Sequence, residues 1–208
     1  MKLSIAIVGL PNVGKSTLFN LLTKQNVLAA NYPFATIDPN VGVVAVPDER
    51  VEKLTELSKS KKKIPAVVEF YDIAGLVKGA STGEGLGNQF LANIRETQAI
   101  VTVLRAFQSS EIIHVENSVD PLRDLQIINT ELVLKDLETV EKRLAKAEGE
   151  ARSASSGQAR TGDKKAVKLF ETLKAVRDEL VQDRPVAKFG DEDIVKEMQL
   201  LTAKIQLC

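Results

Sequence analysis

Residues 9–16, Gly-Leu-Pro-Asn-Val-Gly-Lys-Ser, constrain this chain more than any other stretch. Their form is glycine, four residues of any kind, glycine, lysine, serine: the phosphate-cradling loop of a strand–loop–helix unit. The flanks suit that unit. Leu-Ser-Ile-Ala-Ile-Val at 3–8 reads as a buried strand, and a helical pattern begins at Thr17. Gly9 and Gly14 let the backbone curl so that successive N–H groups face inward. That nest and the helix N-terminus together suit phosphate oxygens. Lys15 can reach β- and γ-phosphates as a mobile charge, and the Ser16 hydroxyl can ligate Mg²⁺. The bland alternative is a glycine-rich turn, and the matching flanks weigh against it.

Charge and cysteine usage narrow the remaining classes. Lys+Arg and Asp+Glu balance at 28 each, so bulk charge implies neither a nucleic-acid nor a membrane partner, and no direct DNA binding is expected. The single cysteine, Cys208, supports neither a disulfide framework nor a zinc site. No run approaches a membrane span, and the first strand begins too early for a signal peptide, so the expected compartment is the cytoplasm.

Along the chain, residues 27–40 carry two prolines and two asparagines and read as a loop. After a phosphate-loop helix, such a loop can supply a threonine that closes over Mg²⁺ and the γ-phosphate. Thr36 is the candidate, against an ordinary loop threonine. A second strand covers 41–46, and Asp48 caps a short helix that runs to about Ser58. Lys59-Ser60-Lys61-Lys62-Lys63 is either a solvated turn or a phosphate- or RNA-contacting loop. A third strand, 66–71, runs into Asp72-Ile73-Ala74-Gly75, where Asp72 can hold Mg²⁺ through water and the Gly75 N–H can sense the γ-phosphate. Leu76 follows where a water-orienting glutamine would be useful, so hydrolysis is expected to be slow or to use another group. Residues 79–87 read as a second glycine-rich switch, leading into a helix over 88–97. A fourth strand is expected over 99–105. The one histidine, His114, is either structural or a mobile group that positions water. Apolar residues at 133, 137, 140, 144, 147 and 151, and again at 166, 169, 173, 176 and 180, alternate spacings of 3 and 4. A polar stretch, 153–163, separates them. The pattern predicts an antiparallel helical hairpin, or else two ordinary amphipathic helices. Asp191 can cap a further helix from Ile194 to about Ala203.

Gly-Leu-Pro-Asn-Val-Gly-Lys-Ser-Thr, Asn-Tyr-Pro-Phe-Ala-Thr-Ile-Asp-Pro-Asn and Asp-Ile-Ala-Gly-Leu-Val-Lys-Gly-Ala-Ser, continuing to Gly-Glu-Gly-Leu-Gly-Asn-Gln-Phe-Leu, together resemble the bacterial YchF family. These are Obg-like ATPases among the translation-factor-related P-loop GTPases. The resemblance covers residues 1–203. It implies an α/β fold: a Ras-like P-loop G domain with an inserted coiled-coil hairpin. The domains expected are a G domain over 1–123, the hairpin over 124–184 and an incomplete return to the G domain over 185–208. The resemblance also implies ATP hydrolysis, usually preferred to GTP, with Mg²⁺ dependence and association with ribosomes. Phosphate binding carries over to Gly9, Leu10, Pro11, Asn12, Val13, Gly14, Lys15, Ser16 and Thr17, and Mg²⁺ binding to Ser16, Thr36 and Asp72. Asn12 matches an asparagine that serves a K⁺ site in related GTPases, which adds K⁺ activation as an expectation.

Family members continue into a strand ending in a base-reading Asn-x-x-Glu, and then into a TGS-type domain. Here Lys204-Ile205-Gln206-Leu207-Cys208 ends the sequence, so both are expected to be missing and the chain to be C-terminally truncated. Asn93-Ile94-Arg95-Glu96 has the letters in the wrong place. An unpaired sheet edge, marginal stability and association follow as expectations. Three readings stay open: an Mg²⁺-dependent NTPase switch, a nucleotide-gated adaptor that binds through its hairpin, and an inactive fragment.

Overall fold

The computed structural model describes residues 3–24, 41–73, 93–155, 161–189 and 193–208. It divides into two compact units. One contains Met1–Gly75, Glu96–Asp120 and Gln206–Cys208; the other contains Leu76–Arg95 and Pro121–Ile205.

The first unit is built on a five-stranded sheet. Strands β1 (Leu3–Val8), β2 (Val41–Ala45), β3 (Val67–Asp72), β4 (Ala99–Thr102) and β5 (Ile205–Leu207) lie in the order β2-β3-β1-β4-β5. β1 is central and parallel to both neighbours: Ile7 registers with Asp72 on β3 and with Val101 on β4. Ala6, Ile7 and Val8 are fully buried, as expected of a strand covered on both faces. β2 runs antiparallel to β3. Helix α1 (Lys15–Lys24) packs against this side of the sheet. Its approach depends on Gly42 in β2, where a Cβ would collide with the Thr23 methyl and come within 3.0 Å of the Phe19 ring.

Helix α2 (Glu49–Ser58) starts as the sequence predicts. Asp48 Oδ1 accepts the Arg50 N–H at 3.0 Å, and Asp48 also pairs with the Arg50 guanidinium. Lys59, in the left-handed region at φ 50°, closes it by donating back to the carbonyls of the last turn. The lysine run beyond is solvent-exposed, and Lys63 pairs with Glu52.

β5 corrects one expectation. Residues 205–207 form a strand next to β4 rather than an unpaired tail. The β4 edge is therefore covered and not open for association.

The second unit holds α3 (Pro121–Ser155) and α4 (Thr161–Val181), packed on each other along a shared apolar seam. Val133, Val140, Ala147, Leu173, Val176 and Leu180 are all buried in it, at the spacing read from the sequence. Both helices run into the stretch expected as a polar tip, to Ser155 and from Thr161. The segment after the hairpin packs onto the same core through Val186, Val195 and Leu200, with α5 (Asp193–Met198) contributing Ile194 and Met198. The helix expected to reach Ala203 stops at Met198, and a separate 3-10 turn, Leu201–Ala203, follows. Gln199, at φ 51°, breaks the two apart.

Asp136 explains that turn. It is fully buried on α3 and accepts the N–H groups of Leu201 and Thr202, each at 2.8 Å. These are orphan donors at the start of the turn, capped by a side chain from another element. Lys204, just past the turn, donates to the Arg95 carbonyl at 2.9 Å. The Arg95 guanidinium in turn bonds the Thr139 hydroxyl.

Candidate nucleotide-binding site

The phosphate loop leaves the carboxyl end of β1, between β3 and β4. In open α/β sheets, strands that diverge to either side of a central one open a crevice for ligands at this point. Leu10 and Val13 are buried and pin the loop to the core, while Asn12, Gly14, Ser16 and Thr17 stay exposed. Asn12 at φ 62° and Gly14 at φ 105° take the left-handed backbone that the curl requires. Gly9 is needed for a different reason: a Cβ there would lie 2.5 Å from the Val103 carbonyl oxygen. Val103 N–H itself bonds Val8 O at 2.7 Å, so the loop leaves the sheet directly under the β4 exit.

Lys15 opens α1 and is only 7% exposed. Its ammonium donates to the Leu10 carbonyl at 2.7 Å, folded over the loop it belongs to. Burial pushes its pKa below the ordinary lysine value, and the negative charge of Asp72 partly opposes this. Asp72 ends β3 in register with Ile7. The strand order thus brings together the lysine and the carboxylate that the sequence separates. Thr36 and Gly75, with Leu76 and residues 79–87, lie outside the described residues.

His114 stands on the loop after β4. It is 5% exposed, and its Nδ1 accepts the Glu116 N–H at 3.2 Å. With that acceptor used, the neutral imidazole carries its proton on Nε2. The loop touches the phosphate loop through Asn12, whose Nδ2 donates to Ile113 O at 3.1 Å. Beside it is a cavity of about 690 Å³ lined by Arg105, Gln108, Ile112, His114 and Asn117, among others.

Known proteins resemble this chain in sequence and in fold. Residues 4–143 match the family described as 50S ribosome-binding GTPase. The Ribosome-binding ATPase YchF of Bacillus subtilis is 51% identical over 208 residues, which is 98% of this chain and 55% of that protein. The chain belongs to the YchF family of P-loop GTPases. Its YchF relative of the same description in Escherichia coli O157:H7 is 57% identical over 152 residues, covering 73% of this chain and 42% of that protein. Among solved structures, the Schizosaccharomyces pombe YchF GTPase is 48% identical, with a TM-score of 0.77 over 99% of this chain and 55% of that one. The chain therefore spans about half the length of the YchF proteins it matches. The α/β fold with its P-loop domain is that of YchF.

Sequence reasoning missed Asp136, Arg95, Arg105 and Lys204. The signal for Asp136 was present: a carboxylate three residues after Val133 and four before Val140 falls on the apolar stripe, not opposite it. Among the described residues, no helix is long and apolar enough to cross a membrane.

Proposed function

We propose that this chain is the nucleotide-hydrolysing part of a cytoplasmic, ribosome-associated NTPase switch that turns ATP, and GTP less readily, into a nucleoside diphosphate and phosphate. The observation that carries the reading is Lys15, buried at the head of α1 and electrostatically coupled to Asp72. A buried cation beside inward-curling backbone has few uses other than holding an anion.

In this mechanism Lys15 exchanges the Leu10 carbonyl for β/γ-phosphate oxygens, and the loop N–H groups hold the rest of the phosphate charge. Water attacks the γ-phosphorus, the bond to the β–γ bridging oxygen breaks, and both of the water's protons leave with the phosphate product. Ser16, exposed at the helix start, and Asp72, at the strand end, are hard oxygen donors of the type Mg²⁺ takes. Thr36 would join them; the metal, when bound, neutralises charge on the β/γ oxygens. Thr36 and the Gly75 N–H are the proposed γ-phosphate sensors.

His114 is the proposed water-positioning group, a role the apolar Leu76 leaves open. In the tautomer fixed by Glu116, Nε2 carries the proton; this atom is buried in the structure and, once reached by water, would orient it as a donor and not remove a proton. Loss of hydrolysis with retained binding in His114→Ala supports the role, and an unchanged rate removes it.

A second reading, a nucleotide-gated adaptor with little turnover, is favoured by the hairpin unit, which has its own apolar core. Ribosome binding measured in ATP and in ADP separates the two: an adaptor changes affinity between them without needing hydrolysis. The first test is calorimetric titration with ATP and with GTP in Mg²⁺, using Lys15→Ala as control. Absence of binding to either nucleotide would end both readings for this chain. Repeating the rate measurement with Na⁺ in place of K⁺ tests K⁺ activation through Asn12.

A further inference from the structure

The loop that carries His114 is braced internally. Arg105, 1% exposed, donates to the carbonyls of Phe107 at 3.0 Å, Ile112 at 2.9 Å and Ser109 at 3.4 Å. Its guanidinium also lies 5.0 Å from the Phe107 ring centroid. Further along, the His114 carbonyl accepts the Asn117 N–H at 3.0 Å, with Asn117 in the left-handed region at φ 57°. A loop tied to one buried guanidinium shifts as a body, so a bond at its rim sets where the body sits. That bond comes from Asn12, through Nδ2 to Ile113 O at 3.1 Å.

We propose that Asn12 is a positioning residue: its side-chain amide registers the braced 105–117 loop against the phosphate loop and thereby fixes His114 relative to the nucleotide. The catalytic half of this inference rests on the reading of His114 given above. Two other roles for Asn12 make no use of the amide N–H. Tolerance of φ 62° is a backbone property that glycine shares. Cation ligation would use Oδ1, an oxygen that aspartate also has.

Asn12→Asp and Asn12→Gly separate these roles. Both accept the backbone conformation, and Asp keeps an oxygen, but neither can donate to Ile113. Amide hydrogen exchange is measured over residues 105–118 in the nucleotide-free protein, and kcat and KM are measured with ATP. Both variants are expected to speed loop exchange by about two- to tenfold, the factor for one net hydrogen bond. Both are expected to lower kcat more than they raise KM. Unchanged exchange in Asn12→Asp would overturn the proposal, and a rate loss confined to Asn12→Gly without faster exchange would point to the cation role instead. Faster exchange with unchanged kcat would overturn the link to His114. The exchange measurement needs no turnover. If His114→Ala is fully active while Asn12→Asp still loosens the loop, the His114 reading has failed and the tether has not.

Discussion

Asp136 holds Thr202 twice through one oxygen: Oδ2 accepts both the Thr202 N–H at 2.8 Å and its hydroxyl at 2.7 Å. The other oxygen takes the Leu201 N–H. Truncating the acid leaves two buried amides without an acceptor, each worth about 1–3 kcal/mol. Asp136→Ala is therefore expected to destabilise the second unit by about 2–5 kcal/mol in urea unfolding. Thr202→Val, which removes only the hydroxyl bond, is expected to cost about 0.5–1.5 kcal/mol. An Asp136→Ala midpoint equal to wild type would contradict the capping role.

Acid stability has two carboxylates pulling in opposite directions. Burial raises the Asp136 pKa above 3.8, although the bonds from Thr202 and Leu201 and the charge of Arg95 oppose the rise. Its folded form keeps a proton that the unfolded chain has released. Its contribution therefore falls as pH rises from the unfolded pKa through the folded one, and is level above. Glu138 is the reverse: hydrogen bonds from Lys135 and Lys142 hold it at about 2, against 4.5 unperturbed. Its contribution is complete above 4.5 and is lost as pH falls toward 2. Because it is an exposed group, the effect is small. Glu138→Gln should flatten the acid limb of a plot of urea midpoint against pH between 4.5 and 2, and a carboxyl NMR titration should find the Glu138 midpoint near 2.

Lys15 should show opposed effects on binding and stability. Burial disfavours its charge in the folded protein, so Lys15→Ala is expected to leave the thermal midpoint unchanged or raised. Nucleotide affinity should fall by about 10- to 100-fold, the worth of a charge-assisted bond. A variant that loses stability and affinity in proportion would show that the lysine holds the loop together instead.

Gly42 tests the packing of α1 on β2. Gly42→Ala drives a methyl into Thr23 and Phe19 and is expected to destabilise by about 1–3 kcal/mol. Thr23→Ser removes the methyl and keeps the hydroxyl, which bonds Phe19 O at 2.8 Å. Added to Gly42→Ala, it should recover part of the loss. Strict additivity in that double-mutant cycle would mean that the two sites do not meet.

The parts of this chain that the sequence made readable are those governed by short-range rules. The phosphate loop is a local pattern of glycines and a lysine, and the hairpin seam is a local period in Val133, Val140, Leu173 and Leu180. Asp48 and its helix follow the same logic. What stayed hidden depends on partners far along the chain. Asp136 looked like one more acid on a long helix because Thr202, its partner, is 66 residues away. Arg105 read as the end of a strand, yet the strand stops at Thr102 and the guanidinium organises the loop beyond. β5 was missed because three exposed residues carry too little alternation to signal a strand; its neighbour β4 supplies the reason it forms. Thr36, Gly75 and the second glycine-rich switch lie outside the described residues.

The bond between Lys15 and Leu10 has a kinetic meaning as well. A free lysine side chain has about 2 kcal/mol of rotamer entropy to lose when it is fixed. Lys15 is already fixed, at 2.7 Å from a carbonyl of its own loop. An arriving phosphate therefore trades one acceptor for a better one and does not have to still a moving chain. Under the proposed function, capture of nucleotide becomes a short substitution with little ordering left to do. On that account, differences in affinity between nucleotides should lie in how long each stays rather than in how fast each arrives.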